Sequence, residues 1–233
     1  MKLEKITNSQ KPSAKRSYDD ACAAAHALDL IGERWSLLVM RELMFGPKRF
    51  SDLRTDLPGV SANVLTQRLE GLEEAGILCK KKLPPPASVQ VYELTEWGYE
   101  SEPILQTLGR WAARSPKHDP NLPISTVSFL LSLRTMIDHD RVAGLRAVIG
   151  LRLDGEDFTA HLDDSGVRIE RGATQEYDLH FESSPRMLAA AIYGGQPLSA
   201  LESVNVLKIM GDRALAEKFV TLFPLPDQAP LPE

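Results

Sequence analysis

Between Ser51 and Gly76 the apolar positions fall into two short helical patterns separated by a proline-glycine break. The first pattern must stop before Pro58, because a residue ahead of proline is pushed out of the helical region, and Ser51 is placed to cap it. Pro58-Gly59 makes the turn. Ser61 caps the second helix, where Leu65, Leu69 and Leu72, spaced by four and three, form one buried stripe that ends at Gly76. Two runs of strand character follow, Ile77–Leu83 and Val89–Leu94, around Pro84-Pro85-Pro86-Ala87-Ser88. Proline cannot donate to a strand ladder, so the three prolines belong at a hairpin tip. A helix-turn-helix followed by a hairpin is a winged helix. Upstream, helices are expected over 21–31 and, apolar on nearly every side, 35–45, with Gly46-Pro47 as the stop. Downstream, a helix opening at Thr95 is interrupted by Pro103.

The placement of charge on the second helix suggests what it is for. Ala62, Asn63, Thr66, Gln67 and Arg68 fill its first two turns without a carboxylate, whereas Glu70, Glu73 and Glu74 all lie in the back half. A recognition helix presents its N-terminal residues to base edges, where acids would be repelled by phosphate. An accidental polar front on a solvated helix is the alternative. Lys80, Lys81 and Lys82 on the first wing strand must point to both faces, so at least one is expected at the phosphate backbone. The same lysines would also blunt a strand edge. Lys48 and Arg49, just ahead of the first helix of the motif, are further candidates for phosphate contact.

Residues 22–113 resemble the DNA-binding domain of HxlR-type transcriptional regulators. The resemblance rests on Cys22, the run Leu30-Ile31-Gly32-Glu33-Arg34-Trp35-Ser36-Leu37-Leu38, the run Gly46-Pro47-Lys48-Arg49-Phe50-Ser51-Asp52-Leu53, the Ser61 helix, and Tyr92-Glu93-Leu94-Thr95-Glu96-Trp97-Gly98. It implies a winged helix that dimerises through its terminal helices on a palindromic or near-palindromic double-stranded DNA operator. DNA contacts are then expected from Lys48, Arg49, Ser61, Asn63, Thr66, Gln67, Arg68, Lys80, Lys81 and Lys82. Ile104, Leu105, Leu108 and Trp111 form a stripe expected at the homodimer interface, unless the second half of the chain covers it. Some relatives sense oxidants through a cysteine at the position of Cys22. Packing at the start of the first helix is the other role open to that thiol.

The chain continues well past this region. Ser115 to Pro123 reads as a linker, and beyond it come a helix over 124–137, strands over 147–153, 158–162, 167–171 and 177–181, helices over 185–191 and 197–202, a strand over 206–210 and a last helix over 214–222. This pattern predicts an antiparallel-sheet α+β domain with helices on one face. It resembles the sterol carrier protein type 2-like fold through the Asp178 strand, Met187–Ala191 before Tyr193-Gly194-Gly195, and Ile209-Met210-Gly211-Asp212. That resemblance implies an apolar cavity for a lipid-like or other apolar small-molecule effector. Met187, Leu188, Ile192, Tyr193, Leu201, Phe219 and Phe223 are its candidate lining, or simply core. The expected division is a flexible basic arm at 1–17, a winged helix-turn-helix DNA-binding and dimerisation domain at 18–114, a linker at 115–123, a ligand-binding domain at 124–225 and a flexible tail at 226–233.

Charge sharpens this division. The net charge of −5 over 233 residues describes neither half: residues 1–118 carry +2 and residues 119–233 carry −7. Hydrophobic content of 43% with 25% charged residues is that of a globular protein. No apolar run approaches the roughly 20 residues that span a bilayer, and no signal peptide is visible, so a cytoplasmic protein without a membrane partner is expected. Two cysteines, Cys22 and Cys79, make no disulfide framework. His26, His118, His139, His161 and His180 are scattered, with no metal spacing and no nucleophile motif, so no metal, no cofactor and no catalytic residue is expected. A regulator with an apolar effector is the leading expectation. A small-molecule carrier that uses the winged helix as a dimerisation platform is the alternative.

Overall fold

The computed structural model describes residues 17–120 and 122–230; most of the basic arm and the last three residues lie outside them. The winged part opens with α1 (Ala23–Ile31), closed by Gly32, and α2 (Ser36–Glu42). Then come α3 (Phe50–Asp56) and α4 (Ala62–Glu74). Arg49, not Ser51, occupies the N-cap position of α3, so Ser51 lies inside the helix. Leu65, Leu69 and Leu72 are buried as their spacing demands, and Gly76 takes the left-handed conformation (φ 73°) that a helix stop needs. The wing strands β1 (Leu78–Lys82) and β2 (Gln90–Leu94) pair antiparallel with Lys80 opposite Tyr92. Thr95 caps a one-turn helix, α5 (Glu96–Tyr99). Pro103 sits in the first turn of the next helix, α6 (Glu102–Ala113), so the proline divides the expected long helix in two.

The second half begins with α7 (Thr126–Met136), capped by Ser125, and the short α8 (His139–Val142). Strands β3 (Ala147–Leu153), β4 (Glu156–Asp163) and β5 (Gly166–Arg171) form an antiparallel meander. Here the fold departs from the wholly antiparallel sheet expected. After β5 the chain crosses back, and β6 (Leu179–Ser183) pairs parallel to β3, giving the order β5-β4-β3-β6-β7 with β7 (Leu207–Gly211) antiparallel at the far edge. The crossing segment is tied across the sheet by Gly172 N–H to Asp157 O (2.8 Å) and by Thr159 Oγ1 to Gly172 O (2.9 Å). Asp178 fastens its end to Val148 through both backbone and carboxylate, which starts β6 two residues later than the alternation suggests. Helices α9 (Pro185–Ile192), α10 (Leu198–Ser203) and α11 (Arg213–Phe219) complete the fold. Ile149, Leu151, Phe158, Ala160 and Phe181 are buried on one sheet face, and α7 and α11 pack there.

The two halves share one continuous apolar core. Phe45, at the end of the α2 segment, meets Phe158 of β4 edge-on with centroids 6.2 Å apart. The Arg134 guanidinium lies 4.3 Å above the Phe45 ring, and Arg171 Nε donates to Phe45 O at 3.2 Å. Arg134 also forks onto both Glu102 oxygens (2.9 and 2.8 Å), joining α7 to α6. At 100° per residue, Glu102, Leu105, Gln106, Gly109 and Ala113 cluster on one side of α6, while Ile104, Leu108 and Trp111 lie roughly opposite. Leu105 accordingly packs against the core, whereas Ile104, Leu108 and Trp111 remain 48%, 42% and 73% exposed. The stripe expected as one surface is therefore split between two. Residues of the expected tail are tied to the end of α6, with Ala229 N–H on Arg114 O (2.7 Å) and Arg114 Nε on Asp227 O (3.0 Å).

Because Phe45 is buried between both halves, Phe45→Ala should cost about 3–5 kcal/mol. Urea unfolding followed by circular dichroism should show the loss in one transition that includes the sheet; a sheet that melts at its original midpoint would show the seam carries no coupling.

Candidate nucleic-acid interface

Helix α4 is fixed at its start by Ser61, whose hydroxyl accepts from Val64 N–H at 3.3 Å. With the leucine stripe buried against α2, the helix turns a polar strip outward. Asn63, Thr66 and Gln67 are exposed and fall within an arc of roughly 100°. Glu70 and Glu74 continue that strip in the third and fourth turns, so only the N-terminal half can approach phosphate without repulsion. Arg68 does not join it. It projects roughly 140° from Asn63, is 21% exposed, and pairs with Glu33 at 3.1 Å.

The wing adds a less open positive charge than its sequence suggested. Lys80 bonds Glu73 at 2.6 Å and lies 5.9 Å from the Tyr92 ring centroid, and Lys81 pairs with Glu93 at 2.5 Å. Those carboxylates raise the pKa of both lysines, so both stay cationic. Lys82 and Arg49 are exposed and form no side-chain ion pair among the described residues.

Lys48 is not a surface cation, contrary to expectation. It is 6% exposed, and its ammonium bridges Glu42 (3.1 Å) and Asp56 (2.5 Å). The cause is Glu42, a fully buried acid on α2 that requires compensation. Arg41 supplies a second cation at 2.7 Å, and Ser125 donates its hydroxyl to the same carboxylate at 2.7 Å from across the seam. Lys48 also exchanges backbone hydrogen bonds with Tyr92 (3.0 and 2.8 Å), fastening the wing to this network. Sequence reading missed Glu42 and Ser125. A single acid in an otherwise apolar helix was the available signal.

The seven residues expected around an apolar cavity do not converge on one. Leu188, Leu201, Phe219 and Phe223 are core, with Phe219 set between Phe181 (5.4 Å) and Phe223 (5.1 Å). Tyr193 shares a 2.7 Å hydrogen bond with Ser132, and burial raises its pKa far above that of a free phenol. Met187 borders a polar groove with Ser183 and Lys208. Ile192 and Phe223 line a separate depression of about 370 Å³ with Val220, Leu198, Arg141 and Gln196. These side chains fill the space between sheet and helices because aromatic rings from α11 and its C-terminal extension reach β6.

Cys22 is exposed at the N-cap of α1. The Ala25 and Ala24 backbone amides at the helix start favour the thiolate and lower its pKa below the usual 9.0. Cys79 is half-buried in β1.

The HxlR-like helix-turn-helix family model matches residues 30–119. The HTH-type transcriptional regulator YodB of Bacillus subtilis (strain 168) is 36% identical over 86 residues, covering 37% of this chain and 77% of YodB. This chain belongs to the HxlR-like helix-turn-helix family. An HTH-type transcriptional regulator of Synechocystis sp. is 40% identical over 84 residues, covering 36% of this chain and 62% of that relative. The solved reduced form of YodB is 32% identical, spans 43% of this chain and all of that chain, and superposes with a TM-score of 0.38. The family match stops at residue 119, so the sheet domain lies outside it. Among the described residues no helix is long and apolar enough to cross a membrane.

Within the HxlR-like region, Lys48→Met would leave buried Glu42 with Arg41 and Ser125 alone and Asp56 without its cation, and should cost about 3 kcal/mol. Lys82→Met should stay within about 0.5 kcal/mol of the parent. Chemical denaturation of both variants checks the contrast, and equal stabilities would return Lys48 to the surface candidates.

Proposed function

We propose that this chain is a homodimeric, sequence-specific DNA-binding transcriptional regulator whose residues 124–225 take an apolar small-molecule effector. Residues 18–114 would bind DNA and dimerise, with 115–123 as the connection. The observation that carries the DNA-binding reading is the open, carboxylate-free strip of Asn63, Thr66 and Gln67 at the start of α4; Arg49 ahead of α3 and Lys82 on the wing are exposed cations of the same domain. Direct readout needs amides and hydroxyls on the exposed face of a helix narrow enough for the major groove. The carrier alternative gives this strip no role.

Two open apolar faces support the homodimer. Ile104, Leu108 and Trp111 on α6 are joined by α1, none of whose residues is buried and whose Leu28 is 52% exposed. Support for an effector is the 370 Å³ depression, whose lining combines apolar Ile192, Val220 and Phe223 with polar Arg141, Gln196 and Glu217. A ligand there would touch the α9–α10 turn and α11, and α11 packs on the sheet that shares the Phe45 seam.

The deciding experiment is fluorescence anisotropy with the duplex upstream of this chain's gene and a scrambled control, at about 0.15 M salt, where nonspecific binding is about 10⁻⁴–10⁻⁶ M. The parent should prefer its own duplex about a thousandfold. Gln67→Ala should cost about 1–3 kcal/mol on that duplex and leave the scrambled one unchanged. Equal weak binding of the parent across a wider set of genomic fragments would discard the regulator in favour of the carrier.

A thiol switch at Cys22 is a second reading, favoured by its exposure and by the helix N-terminal amides that stabilise the thiolate. Since the folded pKa is lowered, the thiolate fraction at neutral pH exceeds that of the unfolded chain, and the pH midpoint of alkylation must move to the acid side on folding. Iodoacetamide rates against pH, with Cys79→Ser to isolate the site and urea as the unfolded reference, should show this. Coincident midpoints would remove the switch.

A further inference from the structure

We infer that Arg68 is a positioning residue rather than a DNA contact: its ion pair with Glu33 fastens the recognition helix α4 to the end of α1, so that the α1 surface sets where α4 points. This rests on the reading of the chain as a dimeric DNA binder. Arg68 faces away from the Asn63, Thr66 and Gln67 strip, and its Nη2 meets Glu33 Oε2 at 3.1 Å. Its Nε is buried, with no hydrogen-bond partner among the described residues, and its Nη2 end is turned to the exposed Glu33 and away from the Asn63, Thr66 and Gln67 strip. Glu33 stands in the turn immediately after α1, and that turn is held tightly. Gly32 leaves no room for a side chain, since a Cβ there would lie 2.4 Å from Leu28 O. Trp35 is held at φ 82°, a conformation unfavourable for a bulky residue. Its ring edge reaches to 3.8 Å from where a Cβ on Gly59 would stand, at the turn ahead of α4. The turn that carries Glu33 thus lies beside the Gly59 turn through Trp35 and pairs with α4 at mid-helix through Arg68. In a dimer built on α1, these two contacts would fix the separation of the paired recognition helices, which must match half-sites about 34 Å apart.

The test uses the full chain and the tightest duplex recovered from a random-sequence pool, with binding measured over a salt series. Glu33→Gln and Arg68→Met should each weaken binding about tenfold, the two together no more than either alone, because they break one interaction. The slope of log K against log salt should not change in Arg68→Met. The parent's preference over a duplex with one base pair inserted at the dyad should shrink in both variants, at temperatures where thermal melts show them folded. A swap of the pair, Glu33→Arg with Arg68→Glu, should restore binding, a result no phosphate-contacting arginine allows. A slope smaller by about 1.8, the value for one fewer neutralised phosphate in each subunit, would overturn the proposal and make Arg68 a DNA contact. Unchanged affinity in both single variants would overturn it too. If the single variants fail to fold, the swap decides, and failure to rescue counts against the pair. A parent that selects no duplex removes the DNA-binding reading and this proposal with it; a parent that binds while the variants behave otherwise than stated removes the proposal alone.

Discussion

A single buried carboxylate organises the junction of this molecule. Glu42 is wholly removed from solvent, and an unpaired charge there would cost several kcal/mol. The network around it draws on four places: Arg41 on the same helix, Lys48 at the entry to the reading motif, Asp56 at the end of α3 through Lys48, and Ser125 at the cap of α7. Lys48 in turn carries the backbone bridge to Tyr92 in the wing. Satisfying one acid therefore constrains the helix-turn-helix, the wing and the first helix of the second half together.

The consequence for function lies in how the halves are joined. A linker between independent domains would let the sheet domain move without effect on the DNA-reading elements. Here Phe45 is enclosed by Phe158, Arg134 and Arg171, and α6 is held to α7 by Arg134 and Glu102. Helix α6 thus has one face committed to the sheet domain and one left open, with Trp111 its most exposed apolar residue. An effector bound in residues 124–225 would need to favour one of two arrangements to influence DNA binding. The shared seam is the physical route by which a shift of the sheet domain would reach α6.

Local chemistry was readable wherever one element decides it. The leucine spacing of α4, Ser61 as its cap, Gly76 as its stop and the prolines at the wing tip are dictated by backbone geometry and burial along a few residues. The break at Pro103 and the strands from Ala147 to Arg171 follow for the same reason. Partners distant in the chain were not readable. Lys48 looked like a phosphate contact because lysine is ordinarily exposed, and only the packing of Glu42 pulls it inside. Arg68 lies on a different side of α4 from Asn63, Thr66 and Gln67, and its partner Glu33 lies thirty-five positions earlier in the chain.

The same division holds for the sheet domain. Alternation determined which residues of each strand face the core, because a pleated strand sends successive side chains to opposite faces. It could not determine that β6 runs parallel to β3, because alternation is the same in both directions and the crossing of Gly172 to Asp178 depends on hydrogen bonds to β4 and β3. Apolar content selected Leu188, Leu201, Phe219 and Phe223 as inward-facing, but whether such residues line a cavity or fill it is a matter of how rings from separate elements meet. By itself the sequence determined the winged helix, the polar strip at the start of α4 and the family, since these rest on short-range spacing. The tertiary structure decided which charges are free, which face of α6 is open and how the two halves are coupled, because burial and ion pairing arise only when distant segments are brought into contact.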